Sequence, residues 1–234
     1  MKILVFDIWG DYGHFKKYFT TSSPLTYSFP PKTAIYGLLG AILGFDKNDY
    51  LKYFQDRVCK VAVKIINPIK KTRIPINYID TKVAIDMSKI KNRTQVNLEV
   101  LKDCKFRVYV TYKDKSIYDK LKKMLFEKKN VYSICLGLSE FLANYRFVGE
   151  FKVTRINNNS KIVDIDTFIP FDEDVMIKIQ GNRQYLKDTV YNEMDSKREV
   201  AEFVTVLYER TGKPIKCDIS VYYELESGEK IVFL

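Results

Sequence analysis

The sequence predicts an α+β fold built on a βαββαβ unit, followed by a smaller β-rich part. Three observations predict it. KILVFDIWG at the N-terminus is apolar and β-prone. Two segments carry helical signals, AIYGLLGAIL and the amphipathic DKSIYDKLKKMLFEKKN. Apolar segments of strand length, VCKVAVKII, CKFRVYVTY and RFVGEFKVTRI, separate and follow them.

KILVFDIWG gives the first strand, and GDYGHF reads as a turn after it. Residues 14–29 show no helical period and read as a loop. Pro30-Pro31 then suits a helix start, because proline tolerates the first helical position. AIYGLLGAIL is apolar on every side, so this helix is expected to be buried on most faces. Gly37, Gly40 and Gly44 share one of its faces. A helical glycine costs about 1 kcal/mol relative to alanine, so three imply that a strand or a ligand approaches the backbone closely.

VCKVAVKII (58–66) alternates as a strand. Residues 67–98 mix prolines, basic residues and short β-like pieces, which reads as a basic, half-structured insertion. CKFRVYVTY (104–112) is a strong strand. In the helix at 114–130, Ile117, Leu121, Met124 and Leu125 form the apolar stripe and lysines the other face. VYSICLGLSEF reads as a strand with a glycine break, and RFVGEFKVTRI as another. Beyond residue 156 lie short β pieces, IVDIDTFIP, VMIKIQ, CDISVYYEL and EKIVFL. Between them, residues 181–214 read as polar and partly helical or loop. The order through residue 156 is the ferredoxin-like pattern used by RNA-recognition modules.

The chain has 234 residues and a net charge of +10. Residues 1–130 carry 26 Lys+Arg against 12 Asp+Glu, and residues 131–234 carry 13 against 17. A basic first half suits a polyanionic partner. No apolar run is long enough to span a bilayer. Cys59, Cys104, Cys135 and Cys217 are far apart and there is one histidine, which argues against zinc and for reduced thiols in a cytoplasmic protein.

Catalytic signatures are sparse. A Ser/His/Asp triad could draw only on His14, and no G-x-S-x-G or Walker A sequence occurs. Asp164, Asp166, Asp172, Glu173 and Asp174 cluster, but as a strand face and a turn rather than a metal site. Metal-free RNA cleavage would need a base, an acid and a cation, which His14, Tyr12, Tyr18, Tyr27 and Lys16 or Lys17 could supply. Binding explains the segment more simply. Lys16, Lys17 and Lys32 can meet phosphates. Thr20, Thr21, Ser22, Ser23, Thr26 and Thr33 supply short donors to phosphate and 2′-OH groups. Phe15, Tyr18, Phe19, Tyr27 and Tyr36 offer rings for bases, with Phe15, Phe19 and Tyr36 expected to be partly core. The helix N-terminus near Lys32 and Thr33 adds N–H groups that favour an anion.

GDYGHFKKYFTTSSPLTYSFPPKTAIYGLLGAILGF closely resembles the N-terminal signature of the CRISPR-associated Cas-five family, RAMP-superfamily subunits of the Cascade surveillance complex. RTQVNLEVLKDCKFRVYV (93–110) and YSICLGLSEFLA (132–143) extend the resemblance over most of residues 1–150. TTSSPLTYSFPP looks most like the type I-B branch. The resemblance implies a ferredoxin-like (RRM-like, RAMP) N-terminal domain, residues 1–156, with a β-hairpin thumb that residues 67–98 would fit. It implies a smaller β-rich C-terminal part, residues 157–234. It further implies a non-catalytic subunit that caps the 5′ handle of the CRISPR RNA. Its thumb would pack against the adjacent backbone subunit and help kink the RNA. It would also meet the large Cascade subunit, and target DNA only through the complex. Expected RNA contacts are the 16–36 segment and, in the thumb, Arg73, Arg93 and Gln95. No cofactor, metal or membrane is implied. The type I-C branch cuts its own precursor RNA with a tyrosine–lysine–histidine arrangement. Here a Lys-His pair is absent and His14 falls in the N-terminal signature, so a metal-independent endoribonuclease is the alternative.

Overall fold

The computed structural model describes residues 1–55, 57–79, 93–159, 161–172, 175–195 and 197–234. In chain order the elements are β1 (Lys2–Gly13), α1 (Lys32–Leu43), α2 (Tyr50–Tyr53), β2 (Cys59–Ile65), β3 (Lys70–Ile79), β4 (Arg93–Tyr112), α3 (Lys115–Phe126) and β5 (Asn144–Asn157). Then follow β6 (Val163–Ile165), β7 (Ile169–Pro170), β8 (Met176–Ile177), β9 (Tyr185–Met194) and β10 (Val200–Glu209), with β11 (Ile215–Asp218), β12 (Val221–Leu225) and β13 (Lys230–Ile231) last. The fold is mixed α+β and mostly sheet. The main sheet runs β13-β12-β5-β1-β4-β2, with β3 added on β4.

β1 is buried on both faces because two different layers cover it. Leu4, Phe6 and Ile8 share a core cluster with Ile35, Leu39 and Ile42 of α1 and Leu121 and Leu125 of α3. Ile3 and Val5 point the other way, against Leu225 of β12 and Ile231 of β13. The C-terminal strands thus return to complete the sheet that β1 begins. A charge network, buried at Asp7 and half-buried beyond it, helps tie the layers. Asp7 holds Arg107 through Nε at 2.8 Å, Arg107 reaches Glu229 at 3.3 Å, and Lys64 bridges Glu229 and Asp166.

Several segments differ from the sequence reading. GDYGHF is not a turn: β1 continues to Gly13, paired with Leu101 of β4. The basic insertion is more regular than expected. Lys70–Ile79 pairs with Arg93–Lys102 residue for residue, as an antiparallel hairpin continuous with the main sheet. Cross-strand partners such as Ile74 and Leu98, and Ile76 and Val96, stabilise it. Asp103 takes a positive φ of 51° where β4 leaves β3 to pair with β2. Residues 80–92 of the expected thumb lie outside the described residues.

VYSICLGLSEF is a loop rather than a strand; only an isolated bridge joins Cys135 to Leu142. Ile134 and Leu136 make it apolar because they plug the core from the loop. Among its described residues, the 181–214 segment is not helical. β9 and β10 form a hairpin through it, and β7 joins as a third strand. Its outer positions carry charged residues that mask the alternation.

The glycines of α1 also resolve. Gly44 caps the helix at φ 81°, its N–H donating to the Gly40 carbonyl. A Cβ on Gly40 would lie 3.1 Å from the Tyr50 Cβ, so the close neighbour is α2. All four cysteines are free, Cys135 alone being half-buried. Burial pushes the Cys104 thiol up to about 11 and that of Cys217 to about 12, which keeps both protonated. Among the described residues, no helix is long and apolar enough to cross a membrane.

Candidate nucleic-acid interface

The loop after β1 doubles back on itself and is pinned at both ends. The His14 N–H donates to Leu136 O at 2.9 Å, and Tyr27 N–H donates to Phe15 O at 2.7 Å. Thr26 Oγ1 accepts from Phe15 N–H at 2.9 Å. Glu99 of β4 is the common anchor. Its carbonyl lies 2.7 Å from His14 Nδ1, which must therefore donate, and its carboxylate accepts from Thr26 N–H at 3.2 Å. Lys71 of β3 bonds both Thr26 O, at 2.7 Å, and the Glu99 carboxylate, at 3.1 Å. Thr20 Oγ1 donates to Lys17 O, closing the tip from within. The tip residues Thr21, Ser22 and Ser23 are left exposed.

This strap forms one wall of a cleft of about 550 Å³. Lys16, Thr21 and Ser22 face Tyr78, Thr94 and Gln95 of the β3–β4 hairpin across it. A second depression of about 420 Å³ shares His14, Lys16 and Leu138 with the first and runs past Thr33 to Tyr191 and Arg198. A third, of about 530 Å³, shares Thr33, Tyr50 and Arg198 with the second and ends at Gly37 and Gly40 of α1. The three form one groove, with Lys16 at the first junction. Beside the strap, half-exposed Tyr18 packs on Phe19 at 5.1 Å, Phe203 at 4.9 Å and Tyr191 at 6.3 Å.

The sequence candidates divide. Lys16, Thr21, Ser22 and Gln95 meet in the first cleft, with Ser23 next to it, and Thr33 lines the other two depressions. Tyr18 stands in the aromatic patch. Lys17 is half-buried; its ammonium pairs with Asp188 and sits 5.3 Å over the Tyr27 ring. Arg73 lies directly opposite Glu99 and Arg93 opposite Ile79 on the hairpin; both are exposed but neither lines the groove. Thr20 is buried.

Two expectations are corrected. Tyr27, read as a stacking face, is fully buried, with its hydroxyl donating to Thr189 O at 2.8 Å. Lys32, read as a phosphate contact, is 1 % exposed, its ammonium 3.4 Å from Leu234 O. The expectation of partial burial holds for Phe15 and Tyr36, both core, but Phe19 is largely exposed. Of the acidic cluster, Asp166 is taken up by Lys64 and by the Lys230 N–H. Glu173 and Asp174 lie outside the described residues. Sequence reasoning missed Tyr78, Thr94, Tyr191, Phe203 and Arg198. Tyr191 and Phe203 meet only as cross-strand partners of the β9–β10 hairpin, a pairing that no local pattern announces.

Burial lowers the His14 pKa from its ordinary 6.5, against the opposing pull of its bond to Glu99. The neutral form is thus preferred in the fold. Its contribution to stability is full above pH 6.5 and is lost as pH falls through the folded value. Urea midpoints measured across this range should fall on acidification in the parent protein, and His14→Gln should flatten that part of the slope. Burial likewise raises the Tyr27 pKa well above the usual phenol range.

Strap and hairpin face each other across a basic, aromatic-edged groove on a mixed α+β scaffold. The chain belongs to the CRISPR-associated protein (Cas_Cas5) family, whose model matches residues 3–206. Its fold is similar to a CRISPR protein from Archaeoglobus fulgidus, at 16% identity and TM-score 0.59, with 98% of each chain covered. It is also similar to a chain of a CRISPR RNA-guided surveillance complex, at 14% identity and TM-score 0.54, covering 92% of this chain and 91% of that one. A chain of the Type III-B Cmr-beta complex bound to cognate target RNA matches at 14% identity and TM-score 0.50, covering 92% and 86%. No curated protein matches the sequence.

Proposed function

We propose that this chain is the subunit of a type I, I-B-like Cascade effector that holds the 5′ handle of the CRISPR RNA in the strap–hairpin groove without cutting it. The observation that carries the reading is the meeting of Lys16, Thr21 and Ser22 with Gln95 and Tyr78 in one cleft. A cation, short hydroxyl donors, an amide and a ring are what a single strand needs for phosphate, 2′-OH and base contacts. Membership in the family and the fold shared with a chain of an RNA-guided surveillance complex support a place in such an assembly. The hairpin is then the thumb that meets the adjacent backbone subunit. Another face meets the large subunit, target DNA is reached only through the complex, and the assembly works in the cytoplasm without a cofactor. The non-catalytic reading is supported by the state of the acid–base candidates: Tyr27 is buried with its hydroxyl bonded, and His14 Nδ1 is committed to Glu99 O.

A gel assay with labelled repeat-containing precursor RNA and EDTA tests it. Intact RNA, shifted alone or on addition of backbone subunits, is the expected result. A discrete cut within the repeat would replace this reading with a metal-independent endoribonuclease, and His14 would be the first residue to change. Binding should weaken with salt, log K falling by about 0.7 per phosphate contact for each unit of log[salt]. Lys16→Glu should cost about 1.5–3 kcal/mol of RNA affinity, read by filter binding.

A further inference from the structure

A second surface carries the chemistry of a single-strand contact and shares no lining residue with the groove. On the sheet face that β12 and β13 only partly cover, Trp9 of β1 sits directly opposite Lys105 of β4. The Lys105 ammonium lies 5.5 Å from the indole centre. A cavity of about 540 Å³ opens beside them, lined by Trp9, Phe126, Lys128, Arg146 and Phe147, among others, with no acidic residue in its lining. Phe126 is 77% exposed and the Arg146 side chain 68%.

The local charge is unbalanced. The buried Asp7 carboxylate gives its close bond to Arg107. Arg146 at 3.5 Å and Lys105 at 3.8 Å share its other oxygen, beyond good hydrogen-bond length. Two cations therefore stand over one already committed anion, with Lys128 as a third at the cavity wall. Positive charge in excess beside an indole and an open phenyl ring fits alternating phosphates and bases. The cavity wraps the edge of β5: Trp9 and Arg146 lie on the side of the sheet that carries Ile3 and Val5, while Phe147 and the end of α3 lie on the other side.

We propose that this surface at the β5 edge is a second binding site for single-stranded nucleic acid, independent of the groove: a base stacks on Trp9, and flanking phosphates meet Arg146, Lys105 and Lys128. RNA and DNA strands share this chemistry. Trp9 is the only tryptophan in the chain, so its emission reports this site alone.

The test titrates the full chain with a short oligouridylate or oligothymidylate, following indole emission and, in parallel, the anisotropy of a labelled strand. Saturable quenching by either strand is expected, and a preference between them names RNA or DNA. Arg146→Gln with Lys128→Gln should raise the quenching midpoint by roughly tenfold or more, as lost charge-assisted contacts would. Trp9→Phe should weaken the affinity measured in a Lys16→Glu background by roughly fivefold or more. Lys16→Glu alone should leave the quenching midpoint unchanged while lowering the affinity of the groove. Unchanged emission while anisotropy reports binding would overturn the proposal, as would a midpoint indifferent to the two neutralised cations. Should the double variant unfold, Arg146→Gln alone carries the test, since that side chain is mostly in solvent.

Discussion

Gly137→Ala is expected to lower stability by about 2–5 kcal/mol, the sum of left-handed strain and overpacking. Gly137 has a φ of +93°, and a Cβ there would lie 1.8 Å from the His14 carbonyl oxygen. That oxygen is fixed backbone, so no rotamer change relieves the clash. The strap must move, which breaks the His14 N–H bond to Leu136 O and opens the groove at Lys16. Urea unfolding gives the stability loss, and RNA affinity should fall with it. Gly181→Ala is the control, because a Cβ there meets nothing within 4 Å. A Gly137→Ala variant within about 1 kcal/mol of the parent would mean that the strap is not held where the structure puts it.

Asp7→Ala should cost about 2–4 kcal/mol. Breaking a buried ion pair from one side costs about 3–5 kcal/mol, because the other charge stays behind in a dry site. Arg107 keeps Glu229 at 3.3 Å and is partly in solvent, which reduces the loss. Its guanidinium is held more firmly protonated than usual, chiefly by the bond to Asp7. Chemical denaturation of the variant, compared with Lys2→Ala at the exposed Lys2–Glu150 pair, separates a buried tie from a surface one. A loss equal to that of Lys2→Ala would show that the network contributes nothing.

How much of this was legible follows from physical scale. β1, β2, α3 and β5 were readable because local periodicity reports one-sided or two-sided burial. The β9–β10 hairpin was not, because the run of charged residues Glu193, Asp195, Lys197, Arg198 and Glu199 around its turn hides the apolar positions of the two strands. The loop at 131–143 looked like a strand because Ile134 and Leu136 are core residues delivered without a strand. Within the site, the strap and its hydroxyls were visible as composition. Its closure on Gln95 and Tyr78 was not, since that depends on a register set some seventy residues away. Lys32 and Tyr27 misled for one reason: residue type announces what a side chain can do, while burial decides whether it does.

Ile3 and Val5 close against Leu225 and Ile231, which follow much later in the chain. One face of β1 therefore stays bare until β12 and β13 have been made. Contacts of such sequence separation form slowly, and the waiting surface is open to wrong partners. The front layer can assemble while the chain is still growing, whereas the rear seal waits for β12 and β13. A stop codon before β12 should leave a protein whose helices are packed but whose β1 is sticky, which sends it to chaperones and proteases.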